Sequence, residues 1–182
     1  VSRLGFLPEG AFKWSGGCAW NHHIYGFPRS SNELLCIDFR NTDRVIGCIP
    51  LPINYSGEHH YGGVCTNEGI VYQPPRNTGS ILKINLNTRE LTEIRISKKE
   101  KRFFYCGSLL HPNGLIYFFP QYKQRVMVLD PTDDKIYFIG KCISSMVFGA
   151  CVALDGNIYG YSAYGTGILM IETKTNRTEM IF

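Results

Sequence analysis

The chain has 182 residues, 44% of them hydrophobic, and a formal net charge of +4. A chain of this length suits one domain, residues 1–182, with roughly 70% of its unfolded surface buried on folding. It contains no apolar run of about 18 residues, no low-complexity tract and no signal-like start, so neither a membrane span nor a targeting segment is expected.

In chain order, the first unit opens with the small-residue strand Gly16-Gly17-Cys18-Ala19 and a turn around Asn21-His22. Strands at Ile24 to Phe27, Leu34 to Ile37 and Val45 to Ile49 follow. The second unit reads Gly62 to Cys65, a turn at Glu68-Gly69, then Ile70 to Tyr72, Ile81 to Ile84 and Leu91 to Ile96. The third has Leu109-Leu110, a turn at Asn113-Gly114, Ile116 to Phe119, Val126 to Leu129 and Ile136 to Ile139. The fourth has Phe148 to Ala153, a turn at Asp155-Gly156, Ile158 to Tyr161, Ile168 to Ile171 and Arg177 to Phe182. Gly in these tight turns supplies the positive φ they need, and β-branched and aromatic residues suit the strands. No window carries an apolar stripe at 3.6-residue spacing, so no helix is predicted.

The units are copies of one another. Ile24-Tyr25, Val71-Tyr72, Ile116-Tyr117 and Ile158-Tyr159 recur at intervals of 47, 45 and 42 residues. Twelve residues after each Tyr stands Ile37, Ile84, Leu129 or Ile171, followed by Asp38, Asn85, Asp130 or Glu172. Pro28, Pro75 and Pro120 fall three residues after the Tyr, where the second strand must end because Pro cannot donate to a central ladder; Ser162 takes that place in the fourth unit. Four short antiparallel strands at a period near 45 residues make a propeller blade, which buries its faces only by stacking on neighbours. The predicted fold class is therefore all-β, a β-propeller of four-stranded antiparallel blades, with blades at about 12–50, 58–96, 103–140 and 146–182. The four blades either close a ring or form part of a larger one, in one chain or completed by a homodimer of eight blades.

The stretch from Phe148-Gly149 through Asp155-Gly156-Asn157-Ile158-Tyr159 to Ile171-Glu172 resembles the kelch-type blade. In that blade a Gly-containing inner strand leads through a turn to an Ile-Tyr strand and an Asp-containing turn. Phe27-Pro28, Pro74-Pro75, Phe119-Pro120 and Tyr161-Ser162 stand where a kelch blade carries its Gly pair. The resemblance implies blades stacked around an axis.

Seven cysteines, an odd number, do not suit a complete disulfide framework. Cys18, Cys36 and Cys151 fall inside strands and are expected to be buried, unbridged thiols of a cytoplasmic protein. The basic run Lys98-Lys99-Glu100-Lys101-Arg102 reads as a solvated loop, so no nucleic-acid partner is expected. His22 replaces the turn Gly of the other units and belongs to an exposed hairpin tip, since His tolerates positive φ better than most residues.

The residues leading into each inner strand are expected to line one mouth of the axis. They include Lys13, Trp14, Glu58, His59, His60, Arg102 and Tyr105, an aromatic and Arg-containing set typical of contact surfaces. His60 is expected at the surface. No HExxH, Walker-type or dinucleotide motif occurs, and the recurring carboxylates sit at turns that they cap. The expected function is a non-enzymatic binding scaffold without cofactor. Its partner is a protein, with a glycan as a lectin-like alternative. The enzymatic alternative is a lyase or hydrolase using a metal or polar site near Glu58, His59 and His60.

Overall fold

A computed structural model describes residue 7 and residues 9–40, 45–51, 57–98, 102–165 and 167–182. Residues 99–101 of the basic run and the first six residues lie outside that set.

The first blade comprises β1 (Trp14–Trp20), β2 (His23–Pro28), β3 (Glu33–Asp38) and β4 (Val45–Pro50), paired antiparallel in that order. Its first hairpin is closed by Asn21 (φ 43°) and His22 (φ 63°) between the paired Trp20 and His23, so His22 does replace a turn glycine at an exposed tip. The second blade contains β5 (Val64–Cys65), β6 (Ile70–Gln73), β8 (Ser80–Asn85) and β9 (Leu91–Arg95). Between β6 and β8 lies β7 (Arg76–Thr78), a strand the periodicity did not reveal. It pairs with the third blade through Phe103↔Thr78 and Phe104↔Arg76. Pro74 and Pro75 end β6 and turn the chain out of its own sheet, and the edge of the next one captures it.

The third blade is β10 (Phe103–Leu110), β11 (Ile116–Pro120), β12 (Gln124–Asp130) and β13 (Lys135–Ile143). The fourth is β14 (Val147–Val152), β15 (Ile158–Ser162), β16 (Ile168–Glu172) and β17 (Arg177–Ile181). Tyr25, Tyr72, Tyr117 and Tyr159 all lie in second strands, in register with Cys36, Lys83, Val128 and Met170 of the third strands. The strand-end carboxylates and Asn85 do cap turns. Asp38 Oδ1 accepts the Arg40 N–H, Asn85 Oδ1 that of Asn87, and Asp130 Oδ1 that of Thr132.

The inner strands β1, β5, β10 and β14 lie side by side in chain order, and the core is three layers between successive blades. Tyr25, Phe27 and Leu34 of the first blade meet Val71, Leu82 and Ile84 of the second. Tyr72 and Ile81 meet Ile116, Phe118, Met127 and Leu129 of the third. Tyr117, Phe119, Val126 and Val128 meet Ile158, Leu169 and Ile171 of the fourth. The repeat Tyr therefore packs toward the following blade, and the aliphatic residue before it toward the preceding one. Two glycines permit this closeness. A Cβ at Gly69 would lie 2.6 Å from the Trp20 ring of the first blade, and one at Gly107 would strike the Phe148 carbonyl of the fourth.

The arrangement is an open series of sheets. Ile24 on the outer face of the first blade and Tyr161 on that of the last are 45% and 61% exposed, so those two faces do not close on each other.

All seven cysteines are free thiols. Cys18 and Cys36 are half-buried, whereas Cys151, expected to be buried, is exposed. Cys151 holds the place of Cys18, paired with the repeat Tyr and turned toward the following blade. Cys18 is covered by the second blade, where its thiol hydrogen-bonds that of Cys65; that contact, with burial, holds Cys18 protonated. In denaturant, all seven thiols should react with a maleimide without prior reduction. The exposed Cys142 should react in the native protein as well. Mass spectrometry showing any pair refractory until reduced would contradict this.

Candidate functional site

Each blade ends its second strand with the same exchange. The backbone N–H after the repeat Pro donates to a carbonyl at the foot of the inner strand: Arg29 to Lys13 (2.8 Å), Arg76 to His59 (2.6 Å), Gln121 to Phe104 (2.8 Å) and Ala163 to Met146 (2.9 Å). The next residue of the inner strand then pairs with the Pro or its substitute: Trp14 with Pro28, His60 with Pro75, Tyr105 with Pro120, Val147 with Ser162. The side chains at this second position enter the space between blades. Trp14 is half-buried and its Nε1–H donates to the Glu33 carbonyl at 2.9 Å. His60 is 2% exposed and Tyr105 has no exposed surface.

The expectation that His60 is a surface residue, and that Trp14, His59, His60, Arg102 and Tyr105 cluster with partly exposed side chains, therefore needs correction. His59, His60 and Tyr105 are buried: His60 and Tyr105, each paired with the Pro that follows the second-strand Tyr, enter the blade interface, and His59 beside them is enclosed as well. Burial also depresses the His60 pKa to about 4 against opposing help from the Ser80 backbone, so His60 is neutral at pH 7. Lys13 Nζ stacks 4.6 Å from the Trp14 ring centroid, and Arg102 is exposed one residue before β10. Of the seven residues, only Glu58 joins the cluster at the axis.

That cluster is built from two positions that the single chain reading did not combine. One is the residue after the repeat Pro. The other follows the inner-strand residue paired with that Pro or its substitute, where the register slips by a β-bulge between Tyr105 and Gly107 and between Val147 and Gly149. Bulges re-aim side chains. Here they turn Phe148 of the fourth blade toward Tyr61 of the second, with ring centroids 6.0 Å apart, across the intervening third blade.

Glu58 Oε1 accepts from Arg29 Nη2 at 2.5 Å and Oε2 from Arg76 Nε at 3.0 Å. The guanidinium carbons lie 4.7 Å (Arg29) and 5.2 Å (Arg76) from the Tyr61 ring centroid, and Arg29 is also 4.7 Å from that of Phe12. Two cations thus share one carboxylate and one aromatic ring, which leaves one positive charge in excess at a partly exposed site. The floor is rigid. Gln73, fully buried, donates from Nε2 to the Pro28 carbonyl of the first blade (3.0 Å) and to Gly62 (2.9 Å).

The Cys106 thiol feels the Arg76 charge. Burial nevertheless pushes its pKa up to about 12, so it is a neutral thiol and no nucleophile at pH 7. Among the described residues no three His, Cys, Asp or Glu side chains converge to hold a metal ion. A signal for the cluster does exist in the sequence. Aligning the repeats on their Pro shows Arg29 and Arg76 where the other units carry Gln121 and Ala163.

No protein-family profile and no curated protein sequence matches the chain. Solved structures do. Virginiamycin B lyase from Staphylococcus aureus superposes with a TM-score of 0.74 at 18% identity, over 92% of this chain and 55% of that one. A streptogramin B lyase gives 0.70 at 16% identity, over 93% and 55%. An auxiliary nutrient binding protein from Bacteroides thetaiotaomicron gives 0.61 at 18% identity, over 92% and 42%. The chain thus spans about half the length of these neighbours. With four antiparallel sheets packed in series, the likeness defines the class of fold: propeller-like and all-β. The narrower kelch resemblance gains no support from these neighbours, and no family is assigned.

Proposed function

We propose that the chain is a non-catalytic binding module whose axial mouth recognises acidic groups of a protein partner. The observation that carries this reading is the pair Arg29 and Arg76 held over Tyr61 by the single carboxylate of Glu58. Guanidinium forks match carboxylate geometry, and Tyr and Arg dominate binding energy at protein contacts. Ion pairing to Glu58 pre-orients both side chains, which lowers the entropy lost on binding.

Fluorescence anisotropy with a labelled Glu-rich peptide tests the reading, a Lys-rich peptide serving as control. The acidic peptide should bind with a salt-sensitive affinity that falls about 30-fold in Tyr61→Ala and Arg76→Ala, the range of interface hot spots, while melting changes little. Equal binding of both peptides, or no response to either substitution, would overturn it.

The enzymatic alternative draws support from fold likeness to the lyases, one of which was solved in a catalytically inactive histidine-to-alanine form with quinupristin. The histidines placed near the mouth here, His59 and His60, are buried between blades. Incubation with quinupristin should therefore leave that compound intact. Its cleavage would favour the enzyme instead.

A further inference from the structure

The two outer faces of the open series carry the two halves of one interface. On the last blade, Gly149, Tyr161, Ile168 and Ile181 form a single cross-strand row, with Tyr161 61% and Ile168 49% exposed. The matching residues of the third blade, Phe119, Val126 and Ile139, are buried against the fourth. Gly149 likewise keeps the glycine that at Gly107 makes room for the carbonyl of the following blade. On the first blade, Ile24, Leu35 and Ile37 hold the places of Val71, Leu82 and Ile84, which are fully buried against the first blade's own Tyr25 and Phe27. Ile24, in contrast, is 45% exposed. Apolar residues are therefore kept at both ends in the pattern that packs blade against blade three times within the chain. A lone sheet face with solvent as its neighbour needs no such pattern and is an association surface.

We propose that a second copy of this chain covers both faces, the last blade of each copy packing on the first blade of the other. Such head-to-tail contacts close into a ring when the rotation fits. Two copies give eight blades, the upper end of the usual range. The arc of one copy superposes on 55% of the virginiamycin B lyase chain, so four blades of this curvature make about half of a ring.

Light scattering on the eluting protein at tens of micromolar should give twice the 20.6 kDa chain mass. Ile24→Asp and Ile168→Asp should each give a single-chain species with an unchanged strand signal in circular dichroism. A second measurement uses the unmodified chain: Cys151, on the last blade's outer face, should be protected from maleimide in the dimer and become reactive on dilution. A single-chain mass at every concentration, a mass above two copies, or a dimer indifferent to both substitutions and to dilution would each overturn the proposal.

Discussion

Tyr105→Ala lowers the unfolding free energy by about 3–5 kcal/mol, the cost of removing a large aromatic side chain from a packed core. The Tyr105 ring has no exposed surface and packs with Tyr72, Ile81, Phe118 and Met127 between the second and third blades. Its hydroxyl donates to the Arg125 carbonyl at 2.9 Å, so truncation both opens a cavity and strips a partly buried acceptor. Tyr105→Phe keeps the volume and loses the hydrogen bond alone, at a cost of about 1 kcal/mol. Differential scanning calorimetry should show the alanine variant melting roughly 10 °C or more below the parent, with the phenylalanine variant in between. If the alanine variant melts with the parent, Tyr105 is a surface residue and the blade-interface assignment fails. The same pair separates scaffold from site, because Tyr61→Ala should do the reverse: weaken peptide binding while barely moving the melt.

Acid should destabilise the protein through His60. Its pKa is about 4 in the folded chain and near 6.5 when exposed on unfolding, so the unfolded state binds the proton more readily. The neutral ring's contribution is fully present above about pH 6.5 and is lost progressively as pH falls toward 4. A difference of this size amounts to about 3 kcal/mol, a large fraction of a typical domain's stability. Burial is the leading cause and the neighbouring His59 adds to it. Urea unfolding of the parent and of His60→Phe at pH 7.5, 5.5 and 4.5 isolates the term, since Trp14 and Tyr105 show that this position accepts an aromatic ring. The parent should lose about 2.5 kcal/mol more than the variant across that range. Parallel pH profiles would show that His60 titrates normally and is not enclosed.

The blade strands were legible from the chain because they depend on local chemistry. The turn glycines Gly69, Gly114 and Gly156, the prolines that end second strands and the Ile-Tyr pairs each act within a few residues. They place four repeats of one sheet wherever they recur. Even the substitution of His22 for a turn glycine followed from what its backbone must do. Strand β7 did not follow, because Arg76–Thr78 has no partner in its own repeat and becomes a strand only against Phe103 and Phe104 of the next blade.

The direction of side chains at the foot of each inner strand was decided by tertiary structure. Lys13, Trp14, His59, His60 and Tyr105 read as one polar and aromatic mouth, yet neighbouring strand residues point to opposite faces. The bulges at Cys106 and Phe148 set which residue turns to the axis, and a bulge leaves no mark in hydrophobic periodicity. Arg29 and Arg76 are 47 residues apart and meet on Glu58 only when two blades stack. Partial burial of Cys18 and exposure of Cys151, identical in their repeats, depend on whether a blade follows. Local sequence determines the sheet, because its turns and alternation are satisfied within one repeat. Which face is core, which is site and which stays open is a property of neighbouring repeats, and only their packing supplies it.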